Sequence, residues 1–167
     1  MQYNVPMKVK LIEVDIAVRF RKKKKTFAIA ESCTGGLVSH RITDVPGSSK
    51  YYLGGVVAYS NAVKISILGV SKELIKKHGA VSRQVAKAMA FGMRSLAGAD
   101  IVAAVTGIAG PGGGNPEKPV GLAYIAVCSK KLSRTRKILV KGTRGEVKEQ
   151  FSDKVMEAVK DFLTLAS

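Results

Sequence analysis

The chain has few of the residues that build metal centres and disulfide frameworks. Its 167 residues include two cysteines, two histidines and no tryptophan. The cysteines and histidines lie far apart and match no zinc-ligand spacing, so we expect no metal ion or other cofactor. Two cysteines also cannot form a disulfide framework, and this usage fits a reducing cytoplasm, where we expect the protein to reside.

Acidic residues are scarce as well. Asp and Glu number 12 against 28 Lys and Arg, which leaves a formal net charge of +16. A protein this basic attracts polyanions non-specifically. The densest cluster is the run RKKKK at 21–25, at the predicted carboxyl end of a helix, where cations offset the helix dipole. Because no aromatic residues interleave with it, a solvated helix end is favoured over a nucleic-acid patch.

Long apolar runs are also missing. No stretch approaches the roughly 20 apolar residues that a transmembrane helix needs, and the first residues lack the pattern of a secretion signal. Apolar content of 46% and charged content of 24% are typical of a globular protein. Without a linker, composition break or repeat, we expect one domain over residues 1–167.

The apolar periodicity predicts alternating strands and helices. Predicted strands cover residues 27–30, 52–59, 100–106, 120–128 and 137–141. Predicted helices cover residues 7–24, 35–43, 61–68, 72–77, 83–96 and 145–165. A short polar turn between the last two strands indicates a hairpin. This order predicts an α/β fold, a single-domain three-layer α/β/α sandwich with a mixed central sheet.

The first strand stops abruptly in a segment of small and polar residues, AESCTGG at 30–36. The strand ends at Glu31 and Ser32, and a helix follows the two glycines. Amides at a helix start are unpaired and carry partial positive charge, so this layout suits a nucleophilic serine or an anion-binding turn. The alternative is that Ser32 only caps the helix.

Further polar segments follow other predicted strands or precede the last helix. They are YSNAVK at 59–64, TGIAGPGGG at 106–114 and GTRG at 142–145. Ligands of open α/β sheets bind outside the carboxyl ends of the strands, so convergence of these segments would build one site. The glycine-rich segment lacks the Gly-Lys-Ser/Thr of a P-loop and could be only a flexible connector.

The histidines do not favour a Ser-His-Asp triad, because His40 lies inside a predicted helix and His78 at a helix end. A lysine can activate a serine instead if burial or positive neighbours lower its pKa. Lys64 is the candidate, with a solvated surface lysine as the alternative. Tyr59 could donate a proton or orient this pair, or it could be a core residue of its strand.

Together these segments resemble the C-terminal domain of the CinA family, which also occurs alone in PncC-type nicotinamide-nucleotide amidohydrolases. The resemblance rests on AESCTGG at 30–36, PGSS at 46–49, GVVAYSN at 55–61 with Lys64, GAVS at 79–82, TGIAGP at 106–111 and KPVG at 118–121. These motifs follow the family's order. Residues 1–25 resemble the helical lead-in of that domain, and we expect the large N-terminal domain of full-length CinA proteins to be absent.

The resemblance implies an amide hydrolase of pyridine nucleotide salvage that converts nicotinamide mononucleotide to nicotinic acid mononucleotide and ammonia without a metal. Ser32 would be the nucleophile, Lys64 the base and Tyr59 a further catalytic residue. Implied substrate-binding positions are Cys33, Thr34, Gly35, Gly36, Thr106, Gly107 and Arg144. The amides of 33–36 could hold either the oxyanion or the 5′-phosphate, and the charged fork of Arg144 suits phosphate.

One departure from the family concerns Arg144. The family commonly has Gly-Asp-Arg where this chain has GTR at 142–144, so an acidic neighbour that could orient the arginine is missing. A nucleotide-binding domain without activity is therefore one alternative. Another, motivated by the charge, is a non-catalytic nucleic-acid-binding protein linked to competence or damage, although no known DNA-binding module is present.

The resemblance also implies a homodimer or another homo-oligomer. Three aromatic residues, Phe20, Tyr51 and Tyr52, suit either a subunit interface or the core of one chain.

Overall fold

Five strands form the central sheet of this computed structural model, which describes residues 11–165. They are β1 (Phe27–Glu31), β2 (Tyr52–Val57), β3 (Ile101–Gly107), β4 (Leu122–Cys128) and β5 (Ser133–Leu139). The strand order is β2-β1-β3-β4-β5. β1 is parallel to β2 and β3, whereas β4 is antiparallel to β3 and β5. The carboxyl ends of β1, β2 and β3 therefore lie at one edge of the sheet.

Helices cover both faces of this sheet. They are α1 (Leu11–Lys23), α2 (Leu37–Thr43), α3 (Asn61–Ser66), α4 (Lys72–His78), α5 (Arg83–Ala97) and α6 (Arg144–Leu165). α1, α2 and α6 share a core on one face, and α5 builds the core of the other face with α4 beside it. The mixed three-layer sandwich is confirmed. Within residues 11–165, no helix is long and apolar enough to cross a bilayer.

β1 and β3 lie in the middle of the sheet and are buried on both faces. Every residue of β1 is buried, as is every residue of β3 before Gly107. A strand covered on both faces cannot alternate apolar and polar residues, which explains the continuous apolar runs in the sequence. The polar residues that end these strands therefore lie at the edge of a rigid, buried part of the sheet.

Aromatic residues near the start of β1 belong to the core. The rings of Phe20 and Tyr51 stack with centroids 5.3 Å apart, and Phe27 lies 5.3 Å from Phe20. Phe20 and Tyr51 are almost fully buried, and Tyr52 is half-buried beside Phe27. Phe20 and Tyr51 therefore pack in the core of one chain, and Tyr52 packs against the border of that core.

Predicted element boundaries differ from the structure mainly at turns. The helix predicted from residue 35 begins at Leu37, because Gly35 and Gly36 have φ of 62° and 95°, in the left-handed region. The strand predicted over 52–59 ends at Val57. Residues 7–10 of the first predicted helix lie outside the described residues.

Candidate active site

Ser32 and Lys64 meet at the carboxyl edge of the sheet. Ser32 directly follows β1, and Lys64 lies in α3, which begins soon after β2 ends. The Nζ atom of Lys64 donates a hydrogen bond to Ser32 Oγ over 3.1 Å. Ser32 is 7% exposed and Lys64 only 2%. Lys64 is therefore not a solvated surface lysine, and the serine hydroxyl has a buried amine as its partner.

The other hydrogen-bond acceptors of Lys64 Nζ are uncharged backbone carbonyls. Its Nζ donates to the carbonyl oxygens of Ala58 at 2.8 Å and Tyr59 at 3.2 Å. Burial disfavours the charged ammonium and holds the pKa of Lys64 below its ordinary value of 10.5. Once Lys64 is neutral, its two N–H groups can still bind these two carbonyls, and its lone pair can accept the hydrogen of the Ser32 hydroxyl. The geometry suits a general base.

Cys33 follows the serine but is not a competing nucleophile. Its side chain is 6% exposed and packs in the core beneath the cleft. Desolvation raises the pKa of its thiol to about 12. Because the thiolate is the reactive form of cysteine, the protonated thiol is inert near neutral pH.

The carboxylate of Glu31 occupies the start of α2. Glu31 is completely buried, and its two oxygens accept five hydrogen bonds. The donors are Thr34 Oγ1, Ser39 Oγ and the amides of Gly36, Val38 and Ser39. The positive end of this helix is thus neutralised by a carboxylate from the preceding strand. It is not open to an anionic ligand.

Glu31 leaves few amides of the turn 33–36 available to bind a ligand. The amide of Gly36 is bound by Glu31, and that of Gly35 donates to the Ser32 carbonyl at 3.1 Å. The amides of Cys33 and Thr34 donate to no oxygen among residues 11–165. Of these two residues, Cys33 lines the cleft around Ser32 and Thr34 is completely buried, so the Cys33 amide remains for an oxyanion. Ser32 is not the N-cap of α2, since that position is taken by Gly36.

Tyr59 and Arg144 form a bridge at the rim of the cleft. Arg144 Nη2 donates to the Tyr59 hydroxyl at 2.9 Å, and its Nη1 donates to the Gly110 carbonyl at 2.5 Å. The Tyr59 side chain is 60% exposed, so it is not a core residue. Tyr59 contacts Lys64 through its carbonyl oxygen, while its hydroxyl holds Arg144. Its hydroxyl is placed to orient the arginine.

Thr143 begins α6 with a helix cap. Its amide and hydroxyl donate to Glu146 Oε2 at 2.7 and 2.9 Å, and these bonds hold the pKa of Glu146 below its ordinary value. This is a capping-box arrangement. Arg144, the first residue of α6, follows this cap and is held by its own two hydrogen bonds. Its orientation does not need an acidic residue at position 143.

The cleft around Ser32 has a volume of about 230 Å³. Seven of the ten predicted site residues line it: Ser32, Cys33, Tyr59, Lys64, Thr106, Gly107 and Arg144. Thr34, Gly35 and Gly36 are not among its walls; the Thr34 hydroxyl and the Gly36 amide both face Glu31.

Sequence reasoning missed four lining residues: Asn61, Ala80, Val81 and Ala109. Each lies within a segment that carried the family resemblance, so their positions after strands or before a helix were the available signal.

Thr106 and Gly107 shape the cleft through packing. Thr106 is 1% exposed, and its hydroxyl donates to the Ala80 carbonyl at 2.9 Å, which holds the 79–82 turn against β3. A Cβ atom at Gly107 would lie 2.5 Å from Ala123 Cβ and 2.7 Å from the Leu122 carbonyl oxygen. Glycine at 107 is therefore required by the close approach of β4.

Comparison with known proteins assigns the family. The sequence matches the CinA C-terminal domain family over residues 9–163. This chain belongs to that family. A CinA-like protein from Desulfotalea psychrophila is 46% identical over 142 residues, which cover 85% of this chain and 34% of the relative. The CinA domain described here spans about a third of the length of the curated relatives it matches.

Solved structures share the same fold. The competence/damage inducible protein CihA from Agrobacterium tumefaciens has a TM-score of 0.88 and 34% identity, covering 99% of this chain and 100% of that protein. A CinA superfamily protein from Klebsiella pneumoniae has a TM-score of 0.89 and 30% identity, covering 92% and 96%. The resemblance noted in the sequence is confirmed for family and fold.

The basic cluster of this CinA domain lies away from the cleft. Lys23 and Lys25 precede β1, whereas Ser32 follows it, so the two regions occupy opposite ends of the strand. They line a separate cavity of about 560 Å³ with Arg94, Lys130 and Lys131. In the described part of the chain, no group of three or more His, Cys, Asp and Glu side chains could hold a metal ion.

Proposed function

We propose that this CinA domain hydrolyses the carboxamide of nicotinamide mononucleotide to nicotinic acid mononucleotide and ammonia. The observation that carries the proposal is the buried amine of Lys64, 3.1 Å from Ser32 Oγ and without a carboxylate partner among residues 11–165. A serine paired with such a lysine suits amide hydrolysis. The names of several relatives refer to competence and damage, so the choice of substrate rests on the site and on the family resemblance.

The first half-reaction forms an ester on the serine. Neutral Lys64 removes the proton from Ser32 Oγ as that oxygen attacks the carboxamide carbon. The resulting tetrahedral intermediate collapses when the C–N bond breaks. Lys64 donates its proton to the departing nitrogen, ammonia leaves, and Ser32 carries the pyridine acyl group.

The second half-reaction regenerates the serine. A water molecule attacks the ester carbon while Lys64 accepts one of its protons. The C–Oγ bond then breaks, and Lys64 returns the proton to Ser32 Oγ. The product leaves as the carboxylic acid, which loses its remaining proton to water to give the carboxylate, and Lys64 is neutral again.

One amide of the turn 33–36 is available for the negative charge that develops on the carbonyl oxygen. The N–H group of Cys33 has no oxygen acceptor among the described residues, adjoins the nucleophile and belongs to a residue that lines the cleft. A preorganised amide of this kind is worth more in a water-poor cleft than in solution. We assign the oxyanion to the Cys33 amide, because Thr34 is completely buried and does not line the cleft.

The substrate phosphate is assigned to Arg144. Since Glu31 fills the start of α2, that helix cannot also receive the phosphate. Arg144 is exposed at the rim of the cleft, and a guanidinium binds phosphate through paired N–H groups. The exposed ring of Tyr59 beside it can stack against the cationic pyridine ring. The reacting carboxamide would then enter the cleft toward Ser32.

Ammonia release from nicotinamide mononucleotide tests the proposal directly. We expect Ser32→Ala and Lys64→Ala each to lower turnover by about 10³-fold or more while circular dichroism stays native. A panel of pyridine amides and nucleotides identifies the preferred substrate. Wild-type protein that binds the nucleotide but releases no ammonia would support the inactive-domain alternative, and a fully active Ser32→Ala variant would exclude this mechanism.

A second candidate function is non-catalytic association with nucleic acid. The observation that favours it is the basic cavity lined by Lys25, Arg94, Lys130 and Lys131. Titration of a DNA duplex at rising salt separates the possibilities, because purely electrostatic binding weakens steeply with salt. Sequence preference at physiological salt would support a dedicated function. Weak binding that salt abolishes, and that Lys130→Glu/Lys131→Glu reduces, would indicate charge alone.

A further inference from the structure

We propose that Glu31 is a positioning residue that holds Ser32 and Lys64 together, through its carboxylate on one side and its backbone carbonyl on the other. This inference rests on the proposed serine hydrolase function. Glu31 does not line the cleft, so it acts through its neighbours rather than on the substrate.

The carboxylate fixes the turn that carries the nucleophile. All five of its hydrogen-bond donors come from residues 34–39, immediately after Ser32. The shortest two, from Thr34 Oγ1 and Ser39 Oγ, are 2.6 Å long. No Lys or Arg side chain pairs with Glu31 within residues 11–165, so amides and hydroxyls alone hold its charge. These hydrogen bonds tie the turn 32–36 to Glu31, the residue that precedes the serine.

The backbone of Glu31 connects to the lysine. Its carbonyl oxygen accepts a hydrogen bond from the Ala58 amide at 2.7 Å, and the Ala58 carbonyl accepts one from Lys64 Nζ at 2.8 Å. Lys64 Nζ in turn contacts Ser32 Oγ, which closes a ring of contacts through the Glu31–Ser32 peptide. The Ser32 amide is held by the Val105 carbonyl at 3.0 Å. The backbone of Glu31 is therefore linked to both reacting atoms.

Other helices of the chain show that capping alone does not require this glutamate. α3, α4 and α5 begin with Ser60, Ser71 and Ser82, whose hydroxyls accept amides of the first turn. α2 instead has Gly36 at its N-cap, without a side-chain bond of its own. Its first-turn amides are capped by the carboxylate of Glu31, the last residue of β1. A carboxylate on the strand fixes the helix relative to the strand end, whereas a local serine would fix only the helix.

The Glu31→Gln variant tests this role in a readout that does not depend on the nucleotide. A fluorophosphonate reacts with an activated serine, so its labelling rate reports the Ser32–Lys64 pair. Glutamine has one acceptor oxygen, and its NH₂ group would face amide donors. We expect labelling of the folded protein and kcat for ammonia release each to fall at least about tenfold, with KM unchanged.

Two further variants keep the test decisive. Thr34→Val removes a single donor to Glu31, and we expect several-fold slower labelling at unchanged KM, even if Glu31→Gln fails to fold. Glu73→Gln is the matched control, because Glu73 lies exposed in the first turn of α4 and does not line the cleft, and it should label at the wild-type rate.

Folded Glu31→Gln or Thr34→Val that labels at the wild-type rate would overturn the role of Glu31. A higher KM in Thr34→Val would also contradict it, since that residue would then contact substrate. Wild-type protein that labels normally but leaves nicotinamide mononucleotide intact would reject only the proposed substrate.

Discussion

Lys64 Nζ lies 3.1 Å from Ser32 Oγ, although 32 positions separate the two residues along the chain. β1 and β2 are parallel neighbours, so the segments that follow them emerge at the same edge of the sheet. The amine is buried against two carbonyls, and its pKa is lowered. The same desolvation that makes Lys64 a base should have measurable consequences for both rate and stability.

The rate should rise with pH as Lys64 loses its proton. Only the neutral amine can accept the Ser32 proton, and its pKa lies below the ordinary 10.5. We therefore expect kcat/KM to climb along a single limb centred below pH 10.5 and then to level off. Initial rates of ammonia release across pH measure this limb. A pH-independent rate would show that Lys64 is not the titrating base.

Lys64 should also make the native state more stable at high pH. Its folded-state pKa is lower than its unfolded value, so the unfolded chain binds more protons between the two values. Below this pH window, burial of the charged amine lowers the free energy of unfolding. This loss disappears as the pH rises through the window. Denaturant unfolding across pH should show the free energy of unfolding rising there relative to Lys64→Met. Parallel curves for the two proteins would contradict the buried, titrating lysine.

The two cysteines should resist alkylation in the native protein. Desolvation raises the pKa of Cys33 to about 12 and that of Cys128 to about 11, and both side chains are buried. Iodoacetamide at neutral pH should leave native protein unmodified and add two groups to denatured protein, as intact mass measures. Rapid alkylation of Cys33 in folded protein would show an accessible thiolate beside Ser32.

Arg144 should govern the affinity for phosphorylated substrates. Hydrogen bonds to charged groups contribute about 1.5–3 kcal/mol, so Arg144→Ala should raise KM for nicotinamide mononucleotide by about 10- to 100-fold. The KM for the unphosphorylated riboside should change little. Steady-state kinetics on both compounds measure the difference, and an equal rise for the two would place the phosphate elsewhere.

Thr143→Ala provides the comparison for the arginine variant. It removes the α6 cap but leaves the bonds of Arg144 to Tyr59 and Gly110 in place. We expect a loss of about 1 kcal/mol in the free energy of unfolding and a small change in KM. A large rise in KM would mean that the cap, and not only the bridge, orients Arg144.

Local signals in the sequence were sufficient for much of the fold. Ser71 and Ser82 directly precede the helices predicted over 72–77 and 83–96, where serine is a favoured N-cap, and both hydroxyls accept an amide of the first turn. The apolar run before Thr106 became the buried strand β3. Caps and apolar runs are properties of adjacent residues, so they can be read without knowing what packs against them.

Long-range contacts account for what sequence reasoning missed. Arg144 and Tyr59 are 85 positions apart, and nothing near either residue indicates their hydrogen bond. The turn 33–36 was expected to offer its amides to a ligand, but Glu31 had no assigned role. The sequence does not show where the side chain of a glutamate before a serine points, because that side chain could equally face solvent.

By itself, the sequence determined the order of strands and helices, because periodicity and turn chemistry are local. It also placed Ser32, Lys64, Thr106 and Arg144 in polar segments that end strands or precede the last helix. Only the tertiary structure decided that Lys64 is buried against Ser32 and that the start of α2 belongs to Glu31. Hydrogen-bond partners and desolvation depend on the distances between segments remote along the chain, and packing alone sets those distances.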